Sequence, residues 1–472
     1  MPMKDPMETV TNMYTDAARR MCGHLDASVC NFFAVRTVEE QLRQHGYREL
    51  DLSKEWNLEP AAGYYVKRND SALIAFRTAA SAHPEGFNII AAHTDSPGFK
   101  LKPNPEIYGD GGMVSLNVEK YGGAIMYTWF DRPLSMAGRL MLRTADPMRP
   151  EVRLVDLKRP VAVIPHLAIH FNRQVNEGNR LSVQKDMKPV LGEFTREEFN
   201  EMKSRGGIVR CMLAEAAGVA PEDILSSEIV LYPCLQNAVL GGVHEELIMS
   251  PRLDDLSMAF CGLQALLESE AGEESVSVLA LFDNEETGSG TRMGAAAPTL
   301  RNVLERISRH YSMPGGDELC PDWPAGYNPR QRHAAEDFYR MLEHSFLVSA
   351  DNAHAWHPNY NEKYDPTNHP VVNGGPVVKI NANCKYMTDS RGDAIFRALC
   401  DSAGVPCQYF VNHADVAGGS TLGNILTSQL DIAGVDMGCA IWAMHSACET
   451  GGADDILDTI CAFTAFYNAG CI

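Results

Sequence analysis

Seven acidic and imidazole side chains, spread between positions 93 and 445, lie close behind short apolar runs. They are His93 and Asp95 in AAHTDSPG, Asp254 in SPRLDD, Glu285 and Glu286 in FDNEETGSG, Asp351 in SADNAHA, and His445 in AMHSACE. Divalent cations take carboxylate oxygen and imidazole nitrogen as protein ligands. Two cations about 3.5–4 Å apart need one shared carboxylate, and a water between them becomes a nucleophile at neutral pH. The set therefore predicts a hydrolytic site with two divalent metal ions.

Each of these residues alone is weak evidence for a metal site. A lone aspartate after a strand is more often a turn residue or a helix cap, and the chain contains 15 histidines. The pair Glu285 and Glu286 is more informative, because it follows the apolar run 279–282 and precedes two glycines, Gly288 and Gly290. Two carboxylates in such a tight loop repel each other unless a cation lies between them.

The elements that must position these residues alternate between apolar strands and helices outside residues 98–245. This pattern predicts an α/β fold with a mixed central sheet that helices cover on both faces. In such sheets, ligands bind beyond the carboxyl ends of the strands. We therefore expect His93, Asp351 and residues 283–286 to meet at one edge of the sheet, with His445 joining them after a short turn.

Periodicity and turn residues place the individual elements. The expected helices are 6–22, 28–45, 254–269, 298–311, 331–343 and 453–468, and the expected strands are 63–66, 72–76, 87–92, 275–282, 345–350, 407–411 and 434–441. A Pro/Gly-rich loop is expected at 313–329.

Residues 98–245 have a different texture, with short β-like runs such as 125–130 and 152–155 and one helical stretch at 196–217. We predict that residues 1–97 and 246–472 form one discontinuous catalytic domain. The β-rich segment 98–245 is then an inserted domain.

Composition excludes several classes of partner. The formal net charge is −20, which disfavours nucleic acid and anionic membranes as partners. The 13 cysteines include no C-x-x-C pair, as is usual for a reduced interior. No apolar window approaches the ~20 residues of a membrane span, and the first residues lack the apolar core of a signal peptide. We therefore expect a cytoplasmic protein.

A glycine pattern after the strand at 275–282 offers a competing interpretation. Gly288, Gly290 and Gly294 are similar to the loop that binds a dinucleotide in oxidoreductases. However, Glu285 and its acidic neighbours occupy the place where a pyrophosphate would lie. We therefore prefer the metal site to a dinucleotide site.

Eight short sequence motifs, some of which contain the residues above, are distributed along most of the chain. They are HTDSPGFKLKP at 93–103, YGG at 121–123, TWFDRPLS at 128–135, IPHLAIH at 164–170, SPRLD at 250–254, AHAWHPNY at 353–360, GSTLG at 419–423 and AMHS at 443–446. In this order, the motifs resemble the M18 metallopeptidases, the aspartyl aminopeptidase family. The resemblance implies two divalent cations. Zinc is the expected metal, and manganese or cobalt are alternatives.

The resemblance also assigns ligands. It implies that Asp254 bridges the two cations, that His93 and Asp351 complete one site, and that Glu286 and His445 complete the other.

Further roles follow from the same resemblance. Glu285 is the implied general base, which takes a proton from the bridging water and passes it to the leaving amine. Asp95 is implied to hold the second ring nitrogen of His93. For His354 we expect a supporting or oxyanion role, because both metal sites are already filled.

Specificity and assembly are implied as well. Lys379 and Tyr386 match the family's pocket for an acidic side chain, and His170 matches a histidine that a neighbouring subunit lends to the site. The insertion 98–245 is the implied oligomerisation domain, in a tetrahedral dodecamer built from dimers. The implied activity is removal of N-terminal Asp or Glu from peptides with a free amine.

Alternatives stay open. An aminopeptidase for neutral or basic residues and a di-metal deacylase both fit the ligand set. A non-catalytic structural or cargo protein is expected to have lost Glu285 or a ligand, and none is lost here. Departures from the family pattern occur at Asp255, Asn284, Cys384–Lys385 and 413–418, and none of them is a proposed ligand. The last two lie near the expected pocket and bear on substrate preference.

Overall fold

A computed structural model of the protein describes the backbone of residues 6–312 and 329–472, and the side chains of residues 12–312 and 335–472. The loop expected at 313–329 falls almost wholly outside these residues. The helices are α1 (Pro6–Ala27), α2 (Asn31–Gln44), α3 (Val183–Asp186), α4 (Arg196–Ser204), α5 (Ile208–Ala217), α6 (Leu253–Glu268), α7 (Thr299–Tyr311), α8 (Pro329–Glu343), α9 (Ser390–Ala403), α10 (Leu422–Leu430) and α11 (Asp454–Tyr467).

Twenty strands run through the described part of the chain. They are β1 (Arg48–Glu49), β2 (Gly63–Arg68), β3 (Ala72–Arg77), β4 (Gly86–His93), β5 (Gly98–Tyr108), β6 (Met113–Tyr121), β7 (Leu134–Leu142), β8 (Glu151–Asp156), β9 (Val190–Glu193), β10 (Ile224–Pro233), β11 (Val239–Gly241), β12 (Leu247–Ser250), β13 (Ser275–Phe282), β14 (Phe346–Ala350), β15 (Ala353–His354), β16 (Val377–Ile380), β17 (Gln408–Val411), β18 (Ala433–Gly438), β19 (Ala440–Trp442) and β20 (Glu449–Gly452).

The central sheet has nine strands in the order β1-β2-β3-β13-β4-β14-β18-β16-β17. Its inner strands β13, β4, β14 and β18 run parallel to one another. Every residue of β4 and β13 is buried, as expected for parallel strands covered on both faces. The carboxyl ends of these strands therefore meet at one edge of the sheet.

Helices cover both faces of this sheet. On one face, α1, α2, α6, α9 and α11 bury apolar side chains in the largest hydrophobic cluster, which includes Leu25, Leu263 and Phe463. On the other face, α7, α8 and α10 contribute Leu304, Phe338 and others to a second cluster. The prediction of an α/β fold with a mixed, helix-flanked central sheet is confirmed.

A second sheet is built only from the segment between Gly98 and Glu193 together with Ile224–Pro233. Its six strands are antiparallel in the order β8-β7-β10-β5-β6-β9. Helix α5 packs Val209 and Leu213 against this sheet, in a hydrophobic cluster separate from those of the central sheet. This sheet lies within the segment predicted to be an inserted domain.

A third sheet, in the order β11-β12-β20-β19-β15, joins distant parts of the chain. Strand β12 leads into α6, and β19 leads into the loop that carries His445. Because β20 pairs with β12 on one side and with β19 on the other, these two segments flank β20.

Three local predictions differ from the structure. The run 125–130 was expected as a strand but contains a 3₁₀ turn, Met126–Trp129, because the Ile125 N–H donates to the carbonyl of His445 instead of joining a sheet. The stretch 196–217 divides into α4 and α5 at two glycines with positive φ. The run 434–441 divides into β18 and β19. No helix of the described residues is long and apolar enough to cross a membrane.

Candidate dinuclear metal centre

Three strands of the central sheet deliver acidic and imidazole side chains to the same edge. His93 is the last residue of β4, and Asp351 directly follows β14. Glu285 and Glu286 begin a 3₁₀ turn two residues after β13. Since these strands are parallel and adjacent, their carboxyl ends bring the four side chains together.

Asp254 and His445 reach the same place from the third sheet. Asp254 lies in the first turn of α6 with non-helical dihedrals (φ −80°, ψ 108°), so the backbone bends there. His445 has a φ of 69°, a left-handed conformation that non-glycine residues seldom adopt. Both conformations turn these residues away from their parent elements and toward the edge of the central sheet.

The distances between these groups suit shared metal ligands. The Nε2 atom of His445 lies 3.3 Å from Asp254 Oδ2 and 3.3 Å from Glu286 Oε1. The Nε2 atom of His93 lies 3.5 Å from Asp254 Oδ1. Two ligands bound at about 2.1 Å to one tetrahedral ion lie about 3.4 Å apart. The spacing therefore matches ligands around a cation.

Asp254 belongs to two ligand groups whose donor atoms lie within 4.8 Å of one another. One group is His93, Asp254, Asp255 and Asp351, and the other is Asp254, Glu286 and His445. Membership of both groups is what a bridging carboxylate requires. Asp255 is already engaged through Oδ2, which accepts the N–H of His93 at 3.0 Å.

Buried oxygens without hydrogen-bond partners support the fit of a cation. Among the residues that the structure describes, three oxygens of the ligand groups are buried and accept no hydrogen bond: Asp254 Oδ1, Asp255 Oδ1 and Glu286 Oε1. A buried charged oxygen is costly unless a hydrogen bond or a metal satisfies it. The donor set of oxygen and nitrogen fits zinc, and it also fits manganese or cobalt.

Burial and neighbouring carboxylates raise the pKa values of two acidic groups, Glu285 and Glu286. Burial, with Asp254 and Glu285 nearby, raises the pKa of Glu286 to about 10. Burial, with Asp351 and Asp254 nearby, raises the pKa of Glu285 to about 7. A divalent cation among these oxygens would stabilise their charged forms.

The metal-free protein is expected to lose stability as pH rises from about 4.5 to 7. In this window the unfolded chain has released the Glu285 proton, whereas the folded chain still holds it. Because the folded state then binds more protons, the free energy of unfolding falls as pH increases. Urea denaturation of chelator-treated protein at several pH values measures this slope.

Glu285→Gln is the control for that slope and should make it shallower. Bound zinc should reverse it, because cations compete with protons for the same oxygens. An unchanged slope in metal-free Glu285→Gln would contradict the raised pKa of Glu285.

Asp95 contacts the ring of His93 and the main chain of Glu285 and Glu286. The His93 ring donates from Nδ1 to the Asp95 carbonyl at 3.0 Å, and the Asp95 carboxylate lies 3.4 Å from the same nitrogen. That carboxylate also accepts the N–H groups of Glu285 at 3.1 Å and Glu286 at 3.2 Å. This arrangement leaves Nε2 of His93 facing Asp254.

Two residues that hydrogen-bond to the site, Tyr121 and Glu449, were not predicted from the sequence. Tyr121 donates its hydroxyl to Asp95 at 2.6 Å and accepts the side-chain amide of Asn284 at 2.9 Å. Glu449 accepts the N–H groups of Asp254 and His445. Glu449 stands four residues after His445 in AMHSACE, so the motif itself held the only sequence signal.

The proposed ligands line a cavity of about 1070 Å³ that is open to the protein surface. Its walls include His354, Lys379, Tyr386 and Ser420. The Lys379 ammonium lies 3.5 Å from Asp351 Oδ2 and donates to the Asn352 carbonyl at 3.0 Å. Burial opposes the charge of Lys379, but Asp351 outweighs it and raises the pKa, so the ammonium stays protonated.

His354 and His170 lie in different surroundings. The His354 ring faces the cavity and contacts Phe410 edge-on, with ring centroids 5.6 Å apart. His170 is exposed on a loop of the second sheet and is not among the residues that line the cavity. The structure therefore groups His354 with the site and leaves His170 outside it in this chain.

A mixed α/β sheet with imidazole and carboxylate groups gathered at its carboxyl edge defines the class as a metallohydrolase. A family model described as Aminopeptidase I zinc metalloprotease (M18) matches residues 24–467. The chain therefore belongs to the M18 family, and it is a metalloaminopeptidase of that family.

Relatives and solved structures agree with this placement. The Probable M18 family aminopeptidase 2 of Clostridium novyi (strain NT) is 41% identical over 438 residues, which are 93% of this chain and 95% of the relative. The protein of the same description from Clostridium acetobutylicum is 40% identical and covers 96% of this chain and 98% of the relative.

Two solved structures share the fold. A chain in the cryo-EM structure of the Ape4 and Nbr1 complex has a TM-score of 0.88 at 35% identity, covering 96% of this chain and 86% of that chain. The mApe1 dodecamer of S. cerevisiae has a TM-score of 0.79 at 26% identity, covering 96% of this chain and 97% of that chain. The resemblance inferred from the sequence motifs is confirmed.

Proposed function

We propose that this aminopeptidase removes acidic residues, Asp or Glu, from the free N-termini of peptides. The observation that carries the proposal is the ligand cluster around Asp254 at the base of a cavity that also holds Lys379. Among the described residues that line this cavity, Lys379 is the only lysine or arginine. A local positive charge is needed because the chain as a whole carries a net charge of −20 and repels acidic peptides.

In the proposed centre, Asp254 would be shared by two cations. His93 and Asp351 would complete one site, and Glu286 and His445 would complete the other. When bound, two divalent cations polarise the scissile carbonyl and lower the pKa of an attacking water. Zinc fits the family description and the mixed nitrogen and oxygen donors.

Glu285 is the proposed general base. Its side chain lines the cavity, and its N–H is held by Asp95 at 3.1 Å. Burial raises the pKa of Glu285 in the metal-free chain, and bound cations would lower it again, which leaves the carboxylate form that can accept a proton. Glu285 would take the proton of the attacking water and pass it to the leaving amine.

Lys379 and Tyr386 are the proposed partners of the substrate's acidic side chain. An ammonium has three N–H donors. Two of them point to Asn352 and Asp351, so the third is free for a substrate carboxylate. The Lys379 Nζ lies 5.6 Å from the centre of the Tyr386 ring, which places the two side chains on the same wall.

A panel of aminoacyl reporter substrates, with and without chelator, tests the proposal. We expect the highest kcat/KM for Asp and Glu reporters and loss of all activity after chelation. Ile425 and Met444 also line the cavity, so an aminopeptidase for neutral residues is the second candidate. Preference for Leu reporters would favour that candidate over the first.

Lys379→Met is expected to lower kcat/KM for Asp and Glu reporters by more than tenfold while sparing neutral ones. The reason is that a buried substrate carboxylate loses its charged partner, which typically costs 2–5 kcal/mol. Steady-state kinetics on both substrate classes measure the effect.

Lys67→Met is the matched control, because Lys67 pairs with Glu39 at 3.0 Å and is not among the cavity-lining residues. Zinc content must be measured too, since Lys379 contacts Asp351. An equal loss on all substrates would show that Lys379 supports the metal centre rather than specificity.

The inserted sheet is the proposed oligomerisation domain, comprising residues 98–245 beside a catalytic domain of 1–97 and 246–472. Around His170, three apolar side chains are exposed: Leu167 by 56%, Ile169 by 53% and Phe171 by 81%. Such exposure on one loop is typical of an interface. We propose that a partner subunit covers this loop and that His170 reaches the partner's cavity, in a dodecamer like that of mApe1.

Phe171→Asp is expected to dissociate the assembly and lower activity together, because a charge would be buried in the interface. His170→Ala should lower kcat/KM by about tenfold or more while the assembly stays intact, as for loss of a hydrogen bond to a charged group. Light scattering coupled to size exclusion, with kinetics on each peak, measures both. Full activity in a monomer peak would contradict this assignment.

A further inference from the structure

Glu449, the first residue of β20, is 1% exposed and lies behind two of the proposed ligands. Its Oε2 accepts the N–H of Asp254 at 3.0 Å, and its Oε1 accepts the N–H of His445 at 2.6 Å. A single carboxylate therefore binds the main chain of both residues.

The third sheet explains why Glu449 reaches both. Strand β20 pairs with β12 on one side, where Glu449 lies opposite Ser250. On the other side it pairs with β19, where Trp442 lies opposite Thr450. The chain continues from β12 to Asp254 and from β19 to His445. Glu449 therefore lies between the two segments that carry the ligands.

The main chain at both ligands needs such an acceptor. Asp254 has non-helical dihedrals within α6, and His445 has a positive φ, so neither N–H joins a regular helix or sheet pattern. A buried N–H without an acceptor costs free energy comparable to a lost hydrogen bond. A carboxylate offers two acceptor oxygens, whereas an amide offers one oxygen and an NH₂ donor.

We propose that Glu449 is a positioning residue that holds Asp254 and His445 at the spacing needed to bind one cation. Glu449 is not among the residues that line the substrate cavity, so it acts through the two ligands. The inference rests on the proposed metal centre, and it adds a residue that fixes the geometry of that centre.

Two substitutions separate position from charge. Glu449→Asp keeps the negative charge but is one methylene shorter, so it cannot reach both N–H groups. Glu449→Gln keeps the length but faces one of the N–H groups with its own NH₂. If Glu449 acts by position, both variants weaken metal binding. If only its charge matters, Glu449→Asp binds metal as the wild type does.

Asp455 offers a matched control elsewhere in the fold. It is fully buried, and its two oxygens accept the N–H groups of Asn373 and Gly375, both at 2.8 Å. The same kind of double acceptor thus occurs in a residue that belongs to none of the three ligand groups and does not line the cavity. Asp455→Asn should lower thermal stability without changing metal affinity.

The experiment titrates metal-free wild type and the three variants with Zn²⁺ against a chromophoric chelator. We expect two ions per wild-type chain. Both Glu449 variants should bind the ion proposed to lie between Asp254 and His445 about 10–100-fold more weakly, as for other groups that orient metal ligands. Asp455→Asn should match the wild type.

Wild-type affinity in Glu449→Asp, or in both Glu449 variants, would overturn the positioning role. If both fail to fold while Asp455→Asn folds, Glu449 serves folding, and the positioning role is again overturned. A wild type that binds fewer than two ions would instead count against the proposed metal centre itself.

Discussion

Glu285→Gln is expected to lower kcat by about 10²–10⁴, the usual contribution of a positioned general base. The amide keeps the shape of the side chain and the N–H contact to Asp95, but it cannot take a proton from water. Glu285 lies in a third group with His93 and Glu286, but it is not one of the proposed ligands, so metal content should stay near that of the wild type. Steady-state kinetics with parallel metal analysis measure both quantities.

Glu362→Gln is the matched control for this variant. Glu362 also lies in a 3₁₀ turn, Asn361–Lys363, but it is exposed and is not among the cavity-lining residues. It should keep wild-type kcat. An unchanged kcat in Glu285→Gln, or loss of both metals, would show that Glu285 is not the base.

Removal of metal is expected to abolish hydrolysis, and added Zn²⁺, Mn²⁺ or Co²⁺ is expected to restore it. The physical reason is that the unpartnered oxygens of Asp254 and Glu286 need a cation both for their own stability and for activation of water. Chelator dialysis, metal analysis of the dialysed protein and reporter assays after each addition provide the measurement. Full activity in verified metal-free protein would contradict the proposed metal dependence of hydrolysis.

Substitution of single ligands sharpens this test. Asp254 belongs to both ligand groups, so Asp254→Asn should lose both ions. His445 belongs to one group only, so His445→Ala should retain one ion per chain. Equal stoichiometry in the two variants would contradict the bridging role of Asp254.

The edge of the central sheet could be predicted because strand order and direction decide it. His93 and Asp351 each end an apolar strand, and parallel neighbours bring such ends together wherever the rest of the chain goes. The residues at 283–286 obey the same rule, since β13 lies beside β4. Periodicity was sufficient for these positions.

The supports behind the ligands could not be predicted in the same way. Glu449 acts through pairing between β12, β20 and β19, and short strands far apart in sequence leave no periodic signal of their partners. Tyr121 reaches Asp95 from the second sheet, and the sequence shows that sheet only as short β-like runs without a pairing order. Such contacts depend on how sheets pack on one another, and local patterns carry no information about that.

The short distance between Lys379 and Asp351 has a thermodynamic consequence. In the proposed roles, one side chain is shared between the substrate's carboxylate and a metal ligand. A substrate that draws the ammonium toward itself leaves Asp351 more negative and thus a stronger donor to its cation. Linkage is reciprocal, so whatever factor an acidic ligand adds to metal affinity, the metal adds to the affinity for that ligand. Selectivity for the substrate and retention of the ion would then be a single equilibrium, with Lys379 shared between the substrate's carboxylate and Asp351.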